Sequence, residues 1–427
     1  MRQVRCTIPH RLRPPRPRLP RRDINLCRRS YSNSSSPISL PRHPPPSGFT
    51  SLPTRSLIHV SGSDSPRFLH GLLTSSVHPF PSSAPPPSTP GSPTSLSQGF
   101  YSAFLTAQGR VLHDVFVYPA FGAAWSKLAG TGTSSAPGMV TGPEEDGFVV
   151  EVDSTERDGL LKHLKRHKLR SKVKLRAVEE GEVGVYAVWK DGEERWTSYG
   201  IGAKGAGTVG EGLGLVDQRA PGMGRRVLLS GTKQMGESVE LEGLEQAELE
   251  QYHLRRYLRG VPEGQKEILR DQAFPMNSNL DVMGAIDFKK GCYIGQELTI
   301  RTHHTGVVRR RVMPVMLYDP SSEPPGKLEY DPSWSPGSPP SDSEFKVEGK
   351  RGKPGRWIAG VGNIGLATCR LEMMTDLVVT GEPSTFSDQE RFTVNVGEDG
   401  EGIGVKTFVP DWIRGRIRPP KVQKRVE

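Results

Sequence analysis

One cysteine, set between two glycines and beside two lysines, is the feature of this 427-residue chain best suited to chemistry. It lies in Asp287-Phe288-Lys289-Lys290-Gly291-Cys292-Tyr293-Ile294-Gly295-Gln296-Glu297, where the glycines permit a tight backbone. If Gln296 and Glu297 open a helix, as the following Leu298 and Ile300 allow, Cys292 lies near a helix N-terminus and two cations. Both favour the thiolate, the form that ligates metal or attacks electrophiles. In that reading Lys290 assists the thiolate, Gly291 and Gly295 shape the loop, and Gln296 and Glu297 start the supporting helix. A buried cysteine in an ordinary turn satisfies the same spacing, because unpaired cysteines are usually structural.

The other candidates read as structure. Cys369, in Gly365-Leu366-Ala367-Thr368-Cys369-Arg370-Leu371, occupies a strand-like stretch where burial is expected. His303 and His304 follow the cysteine loop closely but are adjacent, which is not a metal-ligand spacing. The cationic set Lys162, Lys165, Arg166 and Arg170 reads as a solvated helix face, and Arg309, Arg310 and Arg311 as the start of a strand.

These side chains need a scaffold, and the apolar pattern predicts one of mixed type. Ser63 or Asp64 can cap a helix with Pro66 in its first turn and Phe68, Leu69, Leu72 and Leu73 on its apolar face. Strands are expected over 100–105 and 111–118. A second helix should start near Asp153 and Ser154 and turn Leu160, Leu161, Leu164 and Leu169 inward. Strands over 173–178 and 183–189 follow, then a third helix over 246–259 that stops at Gly260 with Pro262 beyond. From 307 onward the pattern becomes short strands and turns (307–317, 357–364, 365–373, 393–408), which predicts a separate small β-barrel or sandwich. Stretches 78–98, 126–147, 319–355 and 381–402 lack the apolar residues that would offset ordering entropy, and they read as surface insertions.

Charge is distributed unevenly. The first 47 residues hold eleven arginines, no lysine and Asp23 as the only acid, the composition of a mitochondrial transit peptide. Arg29-Ser30-Tyr31-Ser32 resembles a matrix processing site, with cleavage expected after Tyr31. Taking those 47 residues from totals of 57 basic and 47 acidic side chains leaves 46 of each, so the formal charge of +10 belongs to the leader. The remainder is neutral, and no nucleic-acid partner is expected. No run of eighteen apolar residues exists, so no membrane partner is expected either. Cys6 and Cys27 depart with the leader, leaving Cys292 and Cys369, too few for a disulfide framework.

Lys290-Gly291-Cys292-Tyr293-x-Gly295-Gln296-Glu297 resembles the K-G-C-Y-x-G-Q-E signature of the YgfZ/GcvT folate-binding family. Further matching segments are Arg55 to Asp64 leading into Phe68-Leu69-His70-Gly71-Leu72-Leu73-Thr74, then Phe104-Leu105-Thr106-Ala107-Gln108-Gly109-Arg110-Val111. Asp217 with Arg219, Gly260-Val261-Pro262-Glu263-Gly264, Phe274-Pro275 and Gly362-Asn363-Ile364-Gly365-Leu366-Ala367 complete the set, which spans about 55–415.

The resemblance implies an α+β fold: a folate-binding region of two pseudo-repeated subdomains around a channel, followed by a C-terminal β-barrel. It divides the chain into a transit peptide (1–31), a flexible leader (32–54), the folate-binding-like region (55–305), the barrel (306–415) and a basic tail (416–427). The mitochondrial branch implies a matrix factor for late maturation of [4Fe-4S] proteins, with aconitase-like and lipoate-synthase-like clients and A-type scaffold proteins as partners. Weak tetrahydrofolate binding is implied, with Arg110 and Asp114 at the channel. Two cysteines cannot supply the four thiolates an iron-sulfur cluster usually takes, so a [2Fe-2S] or [4Fe-4S] cluster at Cys292 would be transient and shared with a partner. The rival expectation is a tetrahydrofolate-dependent aminomethyltransferase, in which Asp114 would be the acidic group at the folate nitrogens.

Overall fold

The structure, a computed structural model, describes residues 40–77, 99–120, 125, 128–129, 146–192, 213–231, 241, 243–347, 352–379, 386–396 and 402–417. The expected transit peptide, the insertion at 78–98 and most of those at 126–147 and of the basic tail lie outside them. In chain order the strands are β1 (Ser47–Ser51), β2 (Arg55–Ser61), β3 (Phe100–Leu105), β4 (Val111–Ala120), β5 (Gly147–Asp153), β6 (Lys174–Ala177), β7 (Val183–Lys190), β8 (Leu213–Val216), β9 (Arg225–Ser230) and β10 (Glu245–Gln246). The C-terminal strands are β11 (Arg310–Tyr318), β12 (Lys346–Val347), β13 (Gly355–Val361), β14 (Ile364–Arg370), β15 (Phe392–Asn395) and β16 (Gly402–Thr407). The helices are α1 (Ser65–His70), α2 (Arg157–Lys168), α3 (Leu249–Leu258), α4 (Gln296–Thr305), α5 (Leu371–Met374) and α6 (Asp411–Arg414).

Two five-stranded sheets form the first part, one ordered β3-β4-β5-β2-β6 and the other β10-β1-β7-β9-β8. The first is covered on both sides, which is why β4 and β5 read as almost continuous apolar runs. On its outer face Ile58, Val60, Val115 and Val150 meet Leu69 of α1 and Leu160 and Leu164 of α2. On its inner face Leu57, Phe116 and Val149 share a core with Val185, Ala187, Leu215 and Leu228 of the second sheet. Strand β7 alternates accordingly, burying Val183, Val185, Ala187 and Trp189 and turning the residues between them outward.

Helix boundaries follow local chemistry with two departures. Asp64 stands at the α1 N-cap, but its carboxylate accepts from the Lys172 N–H at 2.7 Å instead of capping the helix. Leu169, expected to point inward, is 87% exposed: α2 ends at Lys168 and the chain turns through a left-handed residue (φ 45°) that swings the side chain into solvent. Helix α3 starts with a reciprocal capping box between Glu248 and Gln251, and Gly260 (φ 70°) stops it against Pro314.

The third sheet runs β12-β15-β16-β11-β14-β13. Its ends are brought together by residues 342–345, which bond along β13: Asp342 N–H to Trp357 O at 2.9 Å and Phe345 N–H to Gly355 O at 2.9 Å. That segment leads directly into β12, closing a barrel around Met313, Phe345, Trp357, Ala367 and Val405. Part of the expected insertion 319–355 is thus a barrel wall, because Phe345 and Val347 point into the core. The expected insertion 381–402 likewise contains β15, whose Phe392 and Val394 alternate inward. The barrel is fixed to the first part by α3 residues Leu254 and Tyr257 packed on Val312 and Leu366. Two Arg311–Asp281 bonds of 2.8 Å and an Asn279 Nδ2 to Val312 O bond of 2.6 Å reinforce that junction.

The expected flexible leader 32–54 is corrected over its second half. Strand β1 pairs with β7 and β10, and Phe49 packs on Val227, Leu229 and Leu241. Upstream, Pro41 O accepts from Tyr330 Oη (2.8 Å), His43 O from Gln251 Nε2 (3.0 Å) and Pro45 O from Trp189 Nε1 (2.8 Å). Carbonyls, which every sequence carries, make these contacts, so composition hides them. Phe49→Ala is expected to lower unfolding free energy by about 3 kcal/mol in denaturant titration. An unchanged midpoint would return this segment to the role of a leader.

Candidate functional site

The signature loop is held by a single ammonium. Lys290 Nζ donates to the carbonyls of His70 (2.6 Å), Leu73 (2.7 Å) and Ser75 (3.0 Å), which α1 and the turn after it present. Burial lowers its pKa to about 8, with Asp287 opposing, and its charge lies 4.9 Å from the Tyr293 ring centre. Lys290 therefore anchors the loop, directing its three donors to carbonyl acceptors. Around it, the Asp287 N–H donates to Thr74 O at 3.0 Å and the Ile294 N–H to Gly71 O at 3.3 Å. The Thr74 and Ser75 hydroxyls both donate to Ala285 O, at 2.6 and 2.8 Å.

Cys292 is exposed at the outer edge of this framework, while Tyr293 beside it is buried in the main core. Gln296 and Glu297 do open α4, and Gln296 Oε1 accepts from the Tyr293 N–H at 3.2 Å. Gly295 is the N-cap with φ 81°, and a Cβ there would collide with the Thr106 carbonyl. Gly109, with φ 79°, faces it: a Cβ at Gly109 would lie 3.0 Å from Gly295 O and from Leu298 Cβ. Two glycines on opposite loops thus let the β3–β4 hairpin touch the signature loop. The segments around 70, 109 and 292, far apart in sequence, form one surface. His303 sits at the far end of α4 and stacks on Phe288 at 3.5 Å, so the histidine pair is on a helix. Cys369 is buried, and burial pushes its thiol up to about 12. Among the described residues no group of three histidine, cysteine or acidic side chains could hold a metal ion.

A second constellation lies where the two sheets meet. Arg55, Asp114 and Glu151 come from the first sheet, Arg226 from the second, Asp217 and Arg219 from the turn before β9, Tyr252 from α3, and Glu263 from the connection after α3. All are buried. Glu151 accepts from Arg55 Nε (2.8 Å) and Arg226 Nη1 (3.0 Å). Glu263 pairs with Arg219 (2.8 Å) and with Arg226, and accepts from Tyr252 Oη (2.9 Å). Burial alone would raise the Glu263 pKa, but Arg226, Arg219 and Arg256 hold it well below the carboxylate range. Asp114 goes the other way: burial raises its pKa more than Arg55, at 3.6 Å, pulls it down. Its Oδ1 accepts from the Gly264 N–H at 3.2 Å and lies 3.4 Å from Gln265 Nε2. Arg55 Nη1 and Nη2 and Gln265 Oε1 are buried without a hydrogen-bond partner.

Arg110, expected at the channel with Asp114, shares no partner with it. Its Nη1 donates to Gln272 O at 2.6 Å and its guanidinium lies 4.3 Å from the Phe274 ring centre, beside Gly109 and the signature loop. Arg55, Glu151, Arg226 and Glu263 received no role from sequence. The available signal was a charge inside an apolar strand, as with Glu151 in Gly147-Phe148-Val149-Val150-Glu151-Val152-Asp153. Gly295→Ala is expected to cost about 2–4 kcal/mol of stability, from φ strain and the clash with Thr106. Gly291→Ala should melt like the parent, since its added Cβ would come no nearer than 3.9 Å to His70 Nε2. Equal melting temperatures for both variants would refute the close approach of the two loops.

Comparison with known proteins places these features. The family described as "CAF17, C-terminal beta-barrel domain" matches residues 309–415. The "Iron-sulfur cluster assembly factor IBA57 homolog, mitochondrial" of Neosartorya fischeri is 42% identical over 401 residues, covering 89% of this chain and 84% of that protein. The protein of the same name from Coccidioides immitis is 43% identical over 395 residues, covering 88% and 85%. Among solved structures, the glycine cleavage system aminomethyltransferase T of Bartonella henselae superposes with TM-score 0.53 over 87% of each chain at 12% identity, a likeness of fold. The chain therefore belongs to the family of mitochondrial iron-sulfur cluster assembly factors of the IBA57 type, an α+β aminomethyltransferase-like fold with a C-terminal β-barrel.

Proposed function

We propose that this chain matures iron-sulfur proteins in the mitochondrial matrix by lending Cys292 as one thiolate ligand to a cluster that an A-type scaffold protein brings. One observation carries the reading: Cys292 is the exposed cysteine of the described residues and stands on a loop fixed at both ends, with no grouped ligands beside it. A lone, rigidly held thiol can complete a coordination shell but cannot build one, since a cluster usually takes four ligands. Its proton leaves as the iron–sulfur bond forms. The [2Fe-2S] or [4Fe-4S] cluster is cargo in this scheme, and late [4Fe-4S] clients of the aconitase and lipoate-synthase kind are its recipients. The family to which the chain belongs supports the same assignment.

The test is anaerobic mixing of the protein, or of Cys292→Ala, with an A-type scaffold carrying [2Fe-2S], followed by gel filtration with visible absorbance. A coloured complex should form with the parent alone, while the variant keeps the parent circular dichroism spectrum, because an exposed thiol contributes little packing. A complex that survives Cys292→Ala, or a variant that unfolds, would remove the cysteine from this role.

A folate function is favoured by a separate observation. The Nη1 and Nη2 donors of Arg55 and the Oε1 acceptor of Gln265 lack hydrogen-bond partners next to Asp114, which suits the mixed donor and acceptor edge of a pterin ring. Tetrahydrofolate would bind there weakly, and one-carbon transfer would be the alternative activity. In calorimetric titration Asp114→Asn is expected to weaken tetrahydrofolate binding about tenfold or more. Absence of binding by the parent would leave the buried network a purely structural role.

A further inference from the structure

The C-terminal end of α2 is a cationic surface with an apolar tip. Gly159 to Val178 contains no acidic residue, and Lys162, Lys165, Arg166, Arg170, Lys172 and Lys174 are exposed along it. Helical spacing puts Lys162, Lys165 and Arg166 on the face opposite Leu160 and Leu164, which are fully buried against the sheet. Leu169 continues that outward face beyond the helix. It is 87% exposed and adopts φ 45°, a conformation that a glycine would adopt with less strain. Cations in the last helical turn also complement the helix dipole. That explanation stops at Lys168, whereas Arg170, Lys172 and Lys174 lie in the turn and on β6, the edge strand of its sheet. Of the nearby carboxylates, Asp64 accepts from the Lys172 N–H at 2.7 Å, Glu182 pairs with Arg176 at 2.8 Å, and Asp158, in the first turn of α2, pairs with Arg157 at 3.2 Å, leaving the helix face from Lys162 onward without acids of its own.

We propose that this face docks on an anionic lipid bilayer, with Leu169 entering the acyl boundary and the surrounding cations meeting the headgroups. The chemistry favours a bilayer over other polyanions. A nucleic-acid surface interleaves aromatic side chains for base stacking, and none of the exposed residues from 162 to 174 is a phenylalanine, tyrosine or tryptophan. A protein partner needs an apolar patch or groove, and here one leucine stands alone among charges. A single apolar residue ringed by lysine and arginine is the pattern of peripheral membrane contact. Among the described residues no helix is long and apolar enough to cross a membrane, so contact would be superficial. Such docking would hold the protein beside the membrane while Cys292, on another loop, stays accessible.

The experiment is vesicle flotation of the chain from Leu40 onward, the compact unit that excludes the arginine-rich leader. Vesicles of phosphatidylcholine mixed with phosphatidylglycerol should carry the protein at low salt, and vesicles of phosphatidylcholine alone should not. Raising the salt, or the combined changes Lys165→Glu, Arg166→Glu and Arg170→Glu, should abolish flotation. Leu169→Ser should weaken it roughly tenfold at constant charge. All four side chains are exposed, so thermal melting of the variants should match the parent. Failure of the parent to float, or flotation indifferent to both sets of substitutions, overturns the proposal. Binding to duplex RNA under conditions where anionic vesicles fail would assign the face to nucleic acid instead.

Discussion

Buried charge dictates how the two sheets meet. Arg55, Arg219 and Arg226 are enclosed with Asp114, Glu151, Asp217 and Glu263, and the pairing crosses from sheet to sheet. Glu151 on β5 accepts from Arg55 in its own sheet and from Arg226 in the other. Glu263 then ties both guanidiniums of the second group to the connection after α3. Desolvation cancels much of the attraction in such a network, so its net contribution to stability is small. Its effect is on alternatives: a sheet rotated or slipped by one residue would strand a charge without a partner, at a cost of about 3–5 kcal/mol.

The same logic extends outward to the edge that carries Cys292. The connection that carries Glu263 also supplies Gly264 N–H to Asp114, and the chain then runs through Ala285 and Asp287 to the signature loop. There Lys290 repeats on a small scale what the arginines do in the centre, with one cation fixed by several acceptors from a distant segment. Rigid support under an exposed atom would suit the proposed role of this thiol as a ligand to a partner's metal: loop ordering is completed during folding and does not have to be repeated at each encounter.

The barrel and the N-terminal segment complete this arrangement mechanically. Helix α3 lies between the first part and the barrel, contributing Tyr252 to the ionic centre and Leu254 and Tyr257 to the barrel contact. The segment from Pro41 to Ser51 crosses the same region, bonding Tyr330 of the barrel side and Gln251 and Trp189 of the first part. Membership of the iron-sulfur assembly family and likeness to an aminomethyltransferase fold describe one molecule in these terms: an aminomethyltransferase-like fold closed around buried ion pairs, with an exposed thiol at its edge.

The sequence by itself determined the local features. Apolar period, caps and glycines located α2, α3, β4 and β7 to within a few residues, the Arg-only leader stood out by composition, and the cysteine signature named the loop on which the proposed chemistry rests. Only the tertiary structure decided the partners. Lys290 and His70 are 220 residues apart, Arg55 and Glu151 are 96 apart, and Gly109 touches Gly295, so no local pattern could pair them. It also decided that Leu169 faces solvent, that residues 342–347 close the barrel and that Phe49 is core, because each outcome depends on which surface happens to be adjacent. Short-range propensity is written residue by residue, whereas the matching of buried charges and carbonyls is a property of the assembled surfaces.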